Sequence, residues 1–195
     1  MMTAINFKPF IGEKYRMGIN GKRVLSLGES HYAENAKDAS HTITQDVIRW
    51  YLDSDKYEFE GWMNTYTKFI RALSGDDQIS RDTSRDWWER IAMYNFVQVP
   101  MLGPRESPSS QDFRDSDNAF FTILEQLKPD CVIAWGKRLY NNLPRTGRQG
   151  PDCGDEETWI YETSDGHEVR VLPITHPSAA FDTAYWQKEI YTFLH

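Results

Sequence analysis

The chain has 195 residues and a formal net charge of −7, from 22 basic and 29 acidic side chains. Its length suits one domain, so we expect a single domain over residues 1–195. Two cysteines, Cys131 and Cys153, exclude a disulfide scaffold and any site that needs four cysteines. The sequence has neither an apolar run of about 20 residues nor a leader pattern. We therefore expect a cytoplasmic protein that does not bind a membrane.

Strands and helices are predicted to alternate along the chain. Short apolar runs rich in β-branched residues are typical of buried strands, and apolar stripes at helical spacing are typical of helices. In chain order, the sequence predicts a strand at 24–27, helices at 62–73 and 87–93, a strand at 95–99, a helix at 119–127, a strand at 131–134, a hairpin of 158–162 with 168–171, a strand at 169–174 and a helix at 184–194.

This alternation predicts an α/β protein. We expect a three-layer α/β/α sandwich around a central, mostly parallel four-stranded sheet, with a helical insert at about 33–92. In such folds, ligands bind beyond the carboxyl ends of the strands. The residues that follow each strand are therefore the candidates for a functional site.

Polar groups occur at or after each predicted strand. Gly28-Glu29-Ser30-His31-Tyr32 follows the first strand, Asn95 lies on the second, and Trp135-Gly136-Lys137-Arg138 follows the third. The fourth is followed by Thr175-His176-Pro177-Ser178. The stretch 131–151 has no acidic residue but four basic ones, which suit phosphate binding if a nearby site needs it.

These motifs resemble those of the uracil-DNA glycosylase superfamily. Leu27-Gly28-Glu29-Ser30 resembles the first motif, in which a strand runs into Gly and an acidic or amide residue. The segment 94–100, with 105–108, resembles the Asn-bearing strand and Pro/Arg loop of the thermophile-type members, and 124–136 resembles the helix, strand and Trp-Gly passage of the superfamily. His176-Pro177-Ser178 resembles the second motif, and the matches span residues 24–194.

The resemblance implies that the protein hydrolyses the N-glycosidic bond of uracil or a related damaged base flipped out of DNA. It implies two catalytic residues. The Glu29 carboxylate would stabilise the oxocarbenium-like sugar and orient the attacking water, and a neutral His176 would donate a hydrogen bond to O2 of the departing base.

The resemblance also implies residues that bind substrate. Asn95 offers one acceptor and one donor, which match N3–H and O4 of uracil, and Tyr32, Gly28 and Ser30 would complete the base pocket. DNA phosphates would be held by Ser178, Lys137, Arg138, Arg145 and Arg148. DNA is the expected partner, and no obligate protein partner is implied. Thermophile-type members hold an iron–sulfur cluster on four cysteines, so with two cysteines we expect neither a cofactor nor a metal.

Other functions are compatible with the same residues. A catalytically silent member of this fold would bind a nucleic acid or nucleotide without cleaving it. Ser30 after a strand, with His176 as base, also resembles an esterase nucleophile and its partner. Metal-dependent hydrolysis would require Glu29, His31, His41 and His176 to cluster, although they form no recognised metal motif.

Overall fold

The computed structural model describes residues 5–33, 39–103, 106–178 and 180–195. Over these residues the chain forms one mixed sheet and six helices. The strands are β1 (Phe10–Ile11), β2 (Val24–Gly28), β3 (Ile91–Asn95), β4 (Cys131–Trp135), β5 (Arg148–Gln149), β6 (Trp159–Glu162) and β7 (Glu168–Ile174). The helices are α1 (Ile43–Leu52), α2 (Met63–Ser74), α3 (Arg85–Trp88), α4 (Ser110–Leu127), α5 (Lys137–Asn142) and α6 (Thr183–Leu194).

Four parallel strands form the centre of the seven-stranded sheet. The strand order is β1-β3-β2-β4-β7-β6-β5, and β3, β2, β4 and β7 pair in parallel. The outer strands β1, β6 and β5 are antiparallel to their neighbours. The α/β class is thus confirmed. The expected four-stranded sheet is too small, because the two-residue strands β1 and β5 and the hairpin strand β6 extend it at its edges.

Apolar side chains cover both faces of the sheet. Successive residues of a strand face opposite sides, so Val24 belongs to one buried cluster and Leu25 to the other. The first cluster includes Ile48 of α1 and Phe69 of α2, and the second includes Phe120 of α4. Helices therefore pack against both faces of the sheet.

The predicted boundary around Asn95 is wrong. The sequence predicted a helix at 87–93 and a strand at 95–99, whereas α3 ends at Trp88 and β3 runs over Ile91–Asn95. Residues 91–97 are apolar or aromatic except for Asn95, so periodicity alone cannot locate the ends of the strand among them. Pairing with β2 settles the register, with Val24 beside Ile91 and Gly28 beside Asn95. Asn95 therefore ends its strand instead of beginning it.

Other predicted elements are confirmed, with a difference in length for α4. The helix predicted at 62–73 corresponds to α2, and the one at 184–194 to α6. Helix α4 contains the predicted 119–127 but begins earlier, where Ser109 and Asp112 form a reciprocal capping box. The predicted hairpin corresponds to β6 and β7.

The strand register brings the candidate motifs to one edge of the sheet. Gly28 and Asn95 are paired neighbours, and Trp135 pairs with Ile174. Helices α1, α2 and α3 lie between β2 and β3 in sequence, within the stretch predicted as an insert. Residues 34–38 of that stretch, and residue 105 of the predicted Pro/Arg loop, lie outside the described chain. None of the helices described here combines the length and apolar character needed to cross a membrane.

Candidate functional site

A cleft of about 980 Å³ lies at the carboxyl ends of the parallel strands. One wall comes from the sheet edge and the other from the helical segment between β2 and β3. The sheet-edge residues that line it are Gly28, Glu29, Ser30, His31, Tyr32, Met93, Asn95, Trp135, Gly136, Lys137, Arg138, Thr175, His176 and Ser178. The helical segment contributes Ile43, Val47, Gly61, Trp62, Asn64, Thr65, Tyr66 and Lys68.

Gly28 makes room for the side chain of Asn95. A Cβ atom at residue 28 would lie 2.0 Å from Oδ1 of Asn95 and 3.0 Å from Cε of Met93, both too close for an undisturbed contact. Residue 28 is therefore glycine because the Asn95 amide packs directly against its backbone. Asn95 is buried at this position beside the cleft.

His31 holds the other end of the Asn95 amide. The Asn95 Nδ2 lies 3.1 Å from the His31 ring nitrogens, and His31 Nε2 lies 2.8 Å from Oγ1 of Thr44 on α1. Only 6% of His31 is exposed, and burial lowers its pKa to about 4. The imidazole is therefore neutral near pH 7 and links the helical segment to Asn95.

Sequence reasoning assigned His31 no role in binding the base. The sequence suggests His31 only as a possible member of a metal cluster. The available signal was its position in the polar segment 29–31, which follows the apolar or small residues of the strand at 24–28. Its partner Thr44 could not be identified, because contact between residues 31 and 44 depends on how α1 packs.

Glu29 is bound by Arg138. Arg138 donates from Nε to Oε2 of Glu29 at 2.8 Å and from Nη2 to Oε1 at 2.5 Å, and from Nη1 to Ser107 Oγ at 2.5 Å. The side chain of Glu29 is 12% exposed and that of Arg138 is 55% exposed. Hydrogen bonding to Glu29 raises the pKa of the Arg138 guanidinium. The predicted phosphate ligand Arg138 is thus the ion-pair partner of the predicted catalytic carboxylate.

The orientation of His176 is set by Ser178. The backbone N–H of Ser178 donates to Nδ1 of His176 at 3.2 Å, and Ser178 Oγ lies 2.8 Å from the same atom. Since Nδ1 accepts the backbone hydrogen bond, the neutral imidazole carries its proton on Nε2. Burial is the main cause that lowers the His176 pKa; nearby Arg138 lowers it further and Glu29 opposes the shift.

Tyr32, Ser30 and Lys137 also line the cleft. Tyr32 is 52% exposed, and its backbone forms an isolated parallel β-bridge with Met101. Lys137 forms an ion pair with the largely buried Glu156. Like Arg138, Lys137 therefore already has an anionic partner within the protein.

Arg145 and Arg148 do not line this cleft. Arg145 lies over the ring of Trp159, and Arg148 pairs with Glu168 at the β5 edge of the sheet. The four cations of the stretch 131–151 are therefore divided between two regions, because the chain turns away after α5. The structure brings together Lys137 and Arg138 but not Arg145 and Arg148.

The structure does not show the side-chain contacts that the metal site or the esterase site would require among the described residues. His41 is exposed and its Nδ1 bonds the carbonyl of Asn6. Across the described ranges, no three His, Cys, Asp or Glu side chains form a group suited to a metal ion. For the esterase, both Ser30 and His176 line the cleft, yet the hydroxyl that contacts the imidazole is that of Ser178.

No protein-family model matches the chain, and a search of curated protein sequences finds no significant match.

Proposed function

We propose that this protein is a DNA glycosylase-like hydrolase with a uracil-DNA glycosylase-like fold, which cleaves the N-glycosidic bond of uracil or a related damaged base. The observation that supports this most is the hydrogen bond to Nδ1 of His176, which places the proton of the neutral ring on Nε2. Its Nδ1 accepts a hydrogen bond from the Ser178 backbone, so Nε2–H is available as a neutral donor in the cleft that Glu29 and Asn95 also line. A neutral donor suits a leaving base that becomes negative, because no proton has to be transferred before the bond breaks.

The proposed reaction uses His176 and Glu29. As the glycosidic bond breaks, the electron pair stays on the base, and His176 Nε2–H stabilises the charge that develops on O2. The sugar becomes positive at C1′, where the Glu29 carboxylate provides electrostatic stabilisation. Water then adds at C1′, and the proton that it loses neutralises the base anion, leaving an abasic site and the free base.

Glu29 can act while it is paired with Arg138. A carboxylate has about four lone-pair positions, and the guanidinium of Arg138 takes two of them. The remaining positions can accept hydrogen bonds from the attacking water. Arg138 fixes the carboxylate by two bonds and is itself held by a third to Ser107, which keeps the carboxylate in one orientation.

Asn95 is the group proposed to recognise the base. Its amide is held between Gly28 and His31, so its orientation is determined before substrate binds. Preorganised polar groups lose little entropy on binding and discriminate strongly against a base whose pattern of donors and acceptors differs. DNA is the proposed partner, because the base must come from a nucleotide that has been flipped out.

A panel of oligonucleotides tests this proposal. Each labelled strand contains uracil opposite G, uracil opposite A, unpaired uracil, hypoxanthine or xanthine, and alkali then cleaves any abasic site. We expect strand cleavage with at least one base, and a loss of cleavage in Glu29→Ala, with reduced cleavage in His176→Ala and Asn95→Ala. No cleavage of any substrate at stoichiometric protein would refute the glycosylase proposal.

One observation favours a second function, binding of a nucleic acid or nucleotide without cleavage. The ion pair with Arg138 neutralises Glu29, and in a silent member it would simply stabilise the cleft. A silent protein would bind an oligonucleotide equally well with or without the substitution Glu29→Gln, and it would release no base. The same oligonucleotide panel, with binding measured alongside cleavage, separates the two functions.

A further inference from the structure

The helical wall of the cleft contains an aromatic row that leads to His176. Trp62 contacts Tyr66 edge to face at 5.7 Å between ring centroids, and Tyr66 contacts Trp135 in the same manner at 5.7 Å. Trp135 in turn contacts the His176 ring at 6.1 Å. All four residues line the cleft, so the wall built by the helical segment is continuous with the proposed catalytic histidine.

Trp62 is the outer member of this row and is held in place by its neighbour. It is half-buried at the start of α2, whereas Tyr66 also packs on the buried rings of Tyr51 and Trp88. Because Tyr66 is fixed by the core, it offers Trp62 a rigid support. An indole that is supported on one side and borders a cleft is a suitable stacking surface for a planar ring.

The cleft is larger than one base requires. Its volume of about 980 Å³ is near the upper end of the range of about 300–1,000 Å³ found for sites that enclose drug-sized ligands. If Asn95 and His176 bind the target base, the space beside Trp62 remains for a neighbouring group of the substrate. The indole of Trp62 stacks well on planar rings, so we expect that neighbouring group to be a planar ring.

The charges near the cleft are poorly suited to a duplex. Proteins hold duplex DNA chiefly through its phosphates. Of the described cations, three line the cleft: Lys137 and Arg138, which have carboxylate partners, and Lys68 on α2. Arg145 and Arg148 do not line it. Ring stacking on a side chain also requires a base whose face is free, as in a single strand.

We propose that Trp62 stacks on an unpaired base next to the target nucleotide, so that the substrate is single-stranded. This inference rests on the proposed function for the identity of the ligand as a nucleotide. The helical segment thereby gains a role: it supplies the surface that binds the neighbouring base, while the sheet edge supplies the groups that act on the target.

Binding of a fluorescently labelled 12-nucleotide DNA containing one uracil, followed by anisotropy, tests this inference. We expect the single strand to bind at least tenfold more tightly than the same strand in a duplex. Trp62→Ala should weaken single-strand binding by about 5- to 150-fold, the range that stacking of one base implies, while Trp62→Phe should keep most of the affinity. Duplex binding should change less than twofold in either variant.

Trp50→Ala is the matched control. Trp50 lies on α1 of the same helical segment and is 45% exposed, but it packs on Tyr57 and does not line the cleft. Equal effects of Trp50→Ala and Trp62→Ala, or equal binding of duplex and single strand, would overturn the inference. So would free deoxyuridine monophosphate binding as tightly as the strand. Because the readout is binding, a failure of base release would reject the proposed function without deciding this point.

Discussion

The guanidinium of Arg138 on α5 and the carboxylate of Glu29 after β2 form a two-bond ion pair at the cleft, with distances of 2.8 and 2.5 Å. The residues are 109 positions apart in sequence and meet because β2 and β4 are neighbours in the sheet. Their charges act on His176 in opposite directions, since Glu29 raises its pKa and Arg138 lowers it. The ion pair thus affects the pKa of His176, the proposed hydrogen-bond donor, and also fixes the position of the Glu29 carboxylate.

Neutralising either partner should move the His176 pKa in a defined direction. Glu29→Gln removes the anion that favours the imidazolium, so the His176 pKa should fall further below 6.5. Arg138→Gln removes a cation that disfavours the imidazolium, so the pKa should rise. Titration of the His176 ring resonances by NMR measures both changes.

Lys137→Gln serves as the control for this titration. Lys137 is the neighbouring cation on α5, but it pairs with Glu156 and is not a cause of the His176 shift. Replacing Lys137 should not change the pKa of His176. Shifts of the same sign in Glu29→Gln and Arg138→Gln would contradict the described arrangement of charges.

Gly28→Ala should disturb the site more than the fold. The new methyl group would lie 2.0 Å from Asn95 Oδ1, so the amide must leave its position against Gly28 and its contact with His31. We expect a loss of about 1–3 kcal/mol in the free energy of unfolding, as for other overpacked sites, and a loss of any base release. Urea unfolding and the cleavage assay measure the two effects.

The control for this substitution is Gly103→Ala. A Cβ at Gly103 would meet no atom of the described structure within 4 Å, so stability and base release should be unchanged. Wild-type levels of base release in Gly28→Ala would show that Asn95 does not need its present position.

The placement of Gly28 and Asn95 shows how far the sequence predicts the site. The sequence predicts Gly28 at the end of a short apolar run, and the motif resemblance indicates Asn95. The strand that carries Asn95 is predicted to start at residue 95 but starts at Ile91, because the residues on both sides of Asn95, from 91 to 97, are apolar or aromatic. Only pairing with β2, a tertiary interaction, selects the register that sets the two residues side by side.

Buried His31 should make the protein less stable in acid. Its folded pKa of about 4 lies below the ordinary value of 6.5, so between these pH values the unfolded chain binds the proton and the folded chain does not. Stability is therefore retained above pH 6.5 and lost as the pH falls toward 4. The loss at pH 4.5 relative to pH 7 should be about 2–3 kcal/mol from this residue.

Urea unfolding of wild type and His31→Gln at both pH values measures this effect. The variant cannot titrate at residue 31, so it should lose less stability between pH 7 and pH 4.5, whatever its stability at pH 7. An identical loss in the two proteins would show that His31 takes up its proton in the folded state.

The basic stretch 131–151 shows what the sequence could not predict. Its lack of acidic residues suggested cations free to bind phosphate, but Arg138 and Lys137 find carboxylates at residues 29 and 156, outside the stretch. Arg148 likewise pairs with Glu168. These partners are distant in sequence or on another strand, so local charge patterning cannot reveal them.

The most direct test of the central claim is release of free base by the intact protein and by Glu29→Gln. With protein in excess over a uracil-containing single strand, chromatography measures the uracil released. We predict release by wild type and by the surface variant Glu168→Gln, and a rate at least about 100-fold lower for Glu29→Gln, as for loss of a residue that acts in the transition state. An unchanged rate in Glu29→Gln, or no free base from the wild type with uracil, hypoxanthine or xanthine in the strand, would contradict the account.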